Sequence, residues 1–162
     1  MRELIALVAG LIVLAAIDYG IVQRERLVAD GRVVLLELAP VDPRSLMQGD
    51  YMALRFRLAA EAFGGRRDLA DGRIVVVLDE RGVGKFKRFD DATPLAPNEA
   101  PVRYRVRNGE PKLATNAFFF QEGHGNIYQA ARYGEFRASP DGEVILTAMR
   151  GSNLEVLGPK QP

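Results

Sequence analysis

The side chains best suited to acid–base or metal chemistry lie two residues apart, at Glu122 and His124. His124 is the single histidine, and the glycines at 123 and 125 indicate a loop with unusual backbone angles. A carboxylate and an imidazole with a distant aspartate could bind a metal or transfer protons. No second group of ligands is visible, which favours an imidazole bonded to backbone or water. We therefore place this loop on a binding surface and predict no metal site and no cofactor.

A second set of polar residues lies in a predicted turn between two strands. Pro43 restricts Asp42 to an extended conformation, and the Asp42 side chain favours a turn. Gly49 permits positive φ just before Asp50. These residues either satisfy the turn alone or form a polar cluster that meets a partner. Together with the loop they give one predicted interaction surface: Asp42, Arg44, Gly49, Asp50, Tyr51, Glu122 and His124.

Nucleophilic catalysis has one candidate, a Ser–Lys dyad. Ser45 and the strand after it resemble the nucleophile region of type I signal peptidases, and Lys85 and Lys87 lie on a strand similar to their lysine-bearing strand. The lysine of such a dyad must be desolvated, whereas these two lie beside Arg88. The chain has no cysteine, which excludes thiolate catalysis, disulfides and cysteine-based zinc sites. A membrane-bound serine peptidase is thus the alternative function, and a module without catalysis is favoured.

The N-terminal segment would hold these residues beside a membrane. Leu4–Val22 is apolar apart from Asp18, and its length falls within the range of a spanning helix. Arg2 precedes the segment and Arg24 follows it, so the flanking charges leave the orientation open. A cleaved signal peptide and a buried core helix are the alternatives. We predict an uncleaved signal anchor, and residue Gly31 as the end of the same helix.

The first half of the remaining chain has the pattern of antiparallel strands. The apolar run Arg32–Pro40 predicts a buried strand that pairs with the alternating strand Tyr51–Leu58. Arg73–Leu78 and Lys85–Phe89 predict a hairpin, in which the spacing of two phenylalanines indicates a bulge.

The second half continues the same pattern. Val102–Val106 alternates and leads into Asn108-Gly109, a strong hairpin signal. Ala117–Phe120 predicts a buried strand end, Asn126 predicts the N-cap of a short helix over 126–132, and Pro140-Asp141-Gly142 predicts a hairpin turn. Four arginines are predicted to lie on neighbouring strands: Arg55, Arg57, Arg103 and Arg105. A solvated strand face is the favoured interpretation, and a surface that binds anionic lipid headgroups is the alternative.

These elements predict a mainly β, or α+β, fold: an antiparallel barrel or sandwich-like domain preceded by one transmembrane helix. The predicted organisation is an anchor and helix exit over 1–26, a single extracytoplasmic β-rich domain over 27–158 and a frayed tail over 159–162. The formal net charge of the 162 residues is only +1, which argues against nucleic acid as a partner.

The run Gly49-Asp50-Tyr51-Met52-Ala53-Leu54-Arg55-Phe56 resembles the signature of the GDYXXLXY family of bacterial membrane-anchored proteins. Phe56 stands where that signature has its second tyrosine. Three further runs are similar to the family: Pro40–Arg44, Phe119–Gly123 and Ala131–Glu135. The resemblance implies a small protein with a single anchor, encoded near multi-pass membrane proteins.

From the residues and the resemblance we expect a membrane-anchored accessory or interaction module of the bacterial envelope. Its place would be the inner membrane, single-pass, with the C-terminal domain in the periplasm. Its partners would be the membrane and a multi-pass inner-membrane protein.

Overall fold

The chain begins with one long helix that projects from the folded body. A computed structural model of the protein describes residues 2–39, 47–48, 51–66 and 69–159. Helix α1, Arg2–Asp30, has no buried residue, so the interpretation of this segment as a core helix is wrong. The helix is long and apolar enough to cross a membrane, as the sequence predicts. Gly31 ends it by donating its N–H to the Leu27 carbonyl at 2.9 Å.

The rest of the described chain is β-rich, with two short helices, as the predicted fold class requires. The elements, in chain order, are β1 Arg32–Glu37, β2 Met47–Gln48, β3 Tyr51–Ala53, α2 Arg57–Phe63, β4 Gly72–Leu78, β5 Gly84–Phe89, β6 Glu99–Arg107, β7 Glu110–Leu113, β8 Ala117–Phe119, α3 Gly125–Tyr128, β9 Tyr133–Ala138, β10 Val144–Arg150 and β11 Val156–Leu157.

The strands form three antiparallel sheets. Their orders are β1-β9-β10-β11, β2-β3-β8 and β5-β4-β6-β7. A parallel bridge between Leu35 and Val83 joins the first sheet to the third. Asn108 and Gly109 both have positive φ, at 55° and 75°. Positive φ at both central residues is typical of the tight turn in a two-residue hairpin. The predicted β4–β5 hairpin is confirmed, with an irregularity opposite Val75 and Val76.

One apolar core is shared by all three sheets. Its fully buried side chains come from β1, β4, β6, β9 and β10, and include Phe136, Leu36, Ile74 and Met149. The ring of Phe136 packs edge to face on Phe56, with centroids 5.5 Å apart. Burying such side chains supplies the main driving force for this body to fold.

The structure differs from two predictions, the strand that pairs with β1 and the length of the strand predicted over Tyr51–Leu58. β1 pairs along its whole length with β9, not with the strand after the predicted turn. That strand, β3, ends at Ala53 because the chain bends into α2, and a single bridge joins Leu38 to Phe56. The predicted apolar face is nevertheless buried: Met52, Leu54, Phe56 and Leu58.

The predicted short helix exists, but its bounds were wrong. It covers Gly125–Tyr128, its N-cap is His124 and Asn126 lies inside it. Gly134 does not end this helix; it lies in β9, where a Cβ would sit 2.9 Å from the Phe136 ring. Close packing of an aromatic ring, rather than a helix terminus, therefore explains that glycine.

Candidate functional site

The predicted interaction surface is described in part. Asp42, Arg44, Gly49 and Asp50 lie outside the described residues. The structure describes Tyr51, Glu122 and His124, and it places Tyr51 at the start of β3 and the other two between β8 and α3.

Strand pairing brings the start of β3 beside the end of β8. Tyr51 lies opposite Phe119, and Ala53 lies opposite Ala117. The Tyr51 and Phe119 rings lie on the same face with centroids 5.8 Å apart. The chain therefore leaves β8 after Phe119 at the same end of the sheet at which Tyr51 begins β3. We call Tyr51, Phe119 and the turn Gln121–His124 the aromatic corner.

Phe119 is the functional candidate that sequence reasoning missed. The run 117–120 was predicted to be a buried strand end, and this is wrong for Phe119, which is 69% exposed. Phe118 is 5% exposed and packs on Tyr128, at a centroid distance of 4.9 Å. Successive side chains of a strand point to opposite faces, so three consecutive phenylalanines cannot all enter one core. That alternation was the available signal.

The turn after β8 is fixed by its backbone and by α3. Gly123 has φ of 81°, and the His124 N–H donates to the Gln121 carbonyl at 3.0 Å. Tyr128 of α3 packs back on Phe120, with centroids 5.2 Å apart. The loop is thus a closed turn between two packed aromatic anchors, and it presents Glu122 to solvent.

The polar groups of the corner include the Glu122 carboxylate and the His124 imidazole. The His124 side chain makes no capping hydrogen bond to the short helix it precedes. Within the described parts of the chain, no group of three His, Cys, Asp or Glu could hold a metal ion. What the corner offers is an exposed aromatic ring beside a tyrosine, a carboxylate and an imidazole.

The proposed lysine bases of a Ser–Lys dyad are both exposed. Ser45 lies outside the described residues, so its distance to them stays open. Lys87 donates to the Glu99 carboxylate across the β5–β6 connection, and Lys85 faces solvent on the same strand. A dyad base is desolvated and neutral, so this setting does not favour the peptidase.

The arginines predicted on neighbouring strands are dispersed. Arg103 and Arg105 both lie on β6 and donate to Glu143, at 2.7 and 3.1 Å. Arg57 begins α2 and donates to Glu37 at 2.9 Å, whereas Arg55 precedes that helix. Arg57, Arg103 and Arg105 therefore form solvated ion pairs with carboxylates, and such pairs contribute little to stability.

The family is shown by comparison with known proteins. The model of the family described as GDYXXLXY protein matches residues 13–149, which is most of the chain, so this protein belongs to that family. No match was found among curated proteins or among solved structures. The matched region includes the second part of α1 and all strands except β11 and the end of β10.

Proposed function

We propose that this protein is a membrane-anchored interaction module of the bacterial envelope, without catalysis of its own, that acts with a multi-pass membrane protein. Helix α1 would lie in the inner membrane and the β-rich body on the periplasmic side. The observation that carries the proposal is the exposed ring of Phe119 beside Tyr51 in the family signature.

An exposed phenylalanine that packs beside a half-buried tyrosine has the chemistry of a contact residue. Aromatic side chains are enriched at the centres of protein interfaces, where they become fully desolvated. Covering an exposed phenylalanine contributes about 1.5–3 kcal/mol. The packed aromatic anchors on either side of the turn mean that little conformational entropy is lost when a partner binds.

The exposed apolar surface of α1 supports the proposed anchor. Large apolar side chains are open to solvent on every turn from Leu4 to Val22. A surface of this kind is buried in lipid or against another chain. Asp18 and Tyr19 would lie near the outer boundary of the bilayer, where an aromatic ring is favoured and a charge is tolerated.

The test is photo-crosslinking from the corner in the full-length chain in its native membranes. A photoreactive phenylalanine analogue at Phe119 should form an adduct with an integral, multi-pass membrane protein. The matched control carries the analogue at Arg81, an exposed residue in the turn of the β4–β5 hairpin. The substitution Tyr51→Ala should weaken the adduct formed from position 119.

Two outcomes would count against this function. One is an adduct pattern from position 119 that equals the pattern from position 81. The other is the absence of any adduct from position 119 in a chain that is folded and inserted in the membrane.

A further inference from the structure

A groove lies where α1 meets the folded body. Its volume is about 650 Å³, within the range of small-molecule sites. On the helix side it is lined by Gln23, Arg26, Leu27 and Asp30, and on the body side by the loop before β6, including Leu95 and Ala96. We call this space the junction groove.

The helix side of the junction groove is a single face that starts at the apolar boundary. Gln23, Arg26, Leu27 and Asp30 have the spacing of residues on one side of a helix. The distance along α1 from Val22 to Asp30 is about 12 Å, from the rise of 1.5 Å per residue. The polar layer of each leaflet is roughly 5–8 Å thick. With Val22 at the edge of the hydrocarbon, the lower end of the groove opens within the headgroup layer.

The lining combines an apolar wall with a cation at the membrane end. Leu27 and Leu95 face the groove from its two sides, and Leu95 is 41% exposed. Arg26 is exposed at the lower end, and Asp30 lies one helical turn further from the bilayer. The order of charges along the helix therefore favours an anionic group at the membrane end. At the body end, the cation of Arg32 is already bonded to two backbone carbonyls.

The body side of the junction groove is held in place by hydrogen bonds. Arg32 donates to the carbonyls of Pro97 and Glu99, both at 2.7 Å. The Glu99 carboxylate accepts from the backbone N–H of Ala96 at 3.1 Å and from Lys87. The carboxylate is thereby compensated, and the loop that carries Leu95 is tied to α1's exit. The body side of the groove is therefore a fixed wall.

We propose that the junction groove binds a phospholipid with an anionic headgroup, whose phosphate contacts Arg26 and one of whose acyl chains lies between Leu27 and Leu95. This inference rests on the proposed membrane anchoring. A lipid is the occupant that the position supplies, because the groove adjoins the bilayer surface and has Leu27 and Leu95 on its two walls. An amphiphile with a negative head also matches the apolar wall and the cation at its lower end.

The lack of cysteine allows a direct test in the full-length chain. A single fluorophore is attached at Leu95→Cys, and the chain is reconstituted in vesicles of brominated phosphatidylcholine with or without brominated phosphatidylglycerol. Val28→Cys is the matched control, since it is 39% exposed and follows Leu27 on α1 but does not line the groove. Bromine on the acyl chains should quench the label at 95 several-fold more than the label at 28. Phosphatidylglycerol should increase the difference.

Charge and shape are tested by two further substitutions. Arg26→Gln should lower the preference for phosphatidylglycerol about fivefold, the change expected for the loss of one cation near a charged lipid surface. Arg24→Gln removes the same charge from a helix position outside the groove, so it should lower the attraction of phosphatidylglycerol to both labels and leave the difference between 95 and 28 unchanged. Ala96→Trp fills the groove from an exposed position and should abolish the extra quenching at 95.

A label at Val13→Cys separates this proposal from the anchor. Quenching at 13 with equal quenching at 95 and 28 would overturn the lipid site and leave the anchor standing. A crosslink from 95 to a membrane protein, with no extra quenching there, would also overturn it. Absence of quenching at 13 would overturn the membrane anchor, and with it the lipid site.

Discussion

At the residue scale, a buried carboxylate joins two strands of the third sheet to the loop before β6. The Glu99 side chain is 3% exposed and bonds to Lys87, while Arg88 lies 3.7 Å away. The ammonium of Lys87, and next the N–H of Ala96, hold the pKa of Glu99 below its usual value of 4.5. Its charge is therefore favoured in the folded state, and the body depends on that charge to hold the loop before β6.

We expect the stability contributed by Glu99 to be lost in acid. A carboxylate whose folded pKa is lowered stabilises fully above its unfolded pKa, and loses this effect as the pH falls through the lowered folded value. Thermal unfolding in detergent micelles from pH 7 to pH 3 measures this for the parent chain and for Glu99→Gln. The melting temperature of the parent should exceed that of the variant at pH 7, and the gap should begin to narrow as the pH falls below 4.5. A gap that stays constant across this range would contradict the assignment.

Adjacent phenylalanines at the corner should behave in opposite ways. Phe118→Ala removes a ring from the core and should lower the free energy of unfolding by about 3–5 kcal/mol. Phe119→Ala removes an exposed ring and should change it by no more than about 0.5 kcal/mol. Denaturant unfolding of both variants provides the comparison. If Phe119→Ala proved as destabilising as Phe118→Ala, Phe119 would belong to the packing and not to a contact surface.

At the scale of elements, the junction between α1 and β1 fixes how the body sits on the helix. A Cβ at Gly31 would overlap the Leu27 carbonyl oxygen and lie 2.9 Å from the Cβ of Arg137 on β9. The Arg137 guanidinium also donates to the Gly31 carbonyl at 3.1 Å. The glycine is therefore required by close approach of the helix end to the first sheet.

Gly31→Ala should disturb this junction. Because backbone atoms must shift to admit the methyl group, we expect a loss of about 1–3 kcal/mol and faster proteolysis between helix and body. Gly10→Ala is the matched control, since a Cβ there meets nothing within 4 Å and alanine favours helix. Limited proteolysis in micelles should cut the Gly31 variant near the junction and leave the Gly10 variant as resistant as the parent. Equal resistance of all three chains would show that the junction tolerates a Cβ.

Local signals predicted some elements and failed for pairing at a distance. The Asn108-Gly109 turn and the β4–β5 hairpin follow from neighbouring residues, so the sequence was sufficient for them. The partner of β1 is β9, about 100 residues away, and no local pattern distinguishes it from the nearer β3. The bend that stops β3 at Ala53 was equally hidden, because Leu58 continues the alternation after the chain has become helical.

At the scale of the whole molecule, the protein consists of a long apolar helix and a β-rich body with one shared core. The composition of α1 was enough to predict a helix that is long and apolar enough to cross a membrane. The corner was predicted only in part: Tyr51 and the Glu122–His124 loop were identified, and the exposed Phe119 was not. Its exposure depends on which face of a three-residue strand meets the core.

The measurement that tests the central claim most directly is the topology of the full-length chain in intact cells. Single cysteines at Glu122 and at Val13, in a chain without others, are treated with a membrane-impermeant maleimide after the outer membrane is opened. The account predicts that the cysteine at 122 reacts without detergent, that the cysteine at 13 reacts only after denaturation in detergent, and that the protein stays in the membrane pellet after carbonate extraction. Protection of the cysteine at 122 until the inner membrane is lysed, or release of the protein by carbonate, would contradict the anchored periplasmic module.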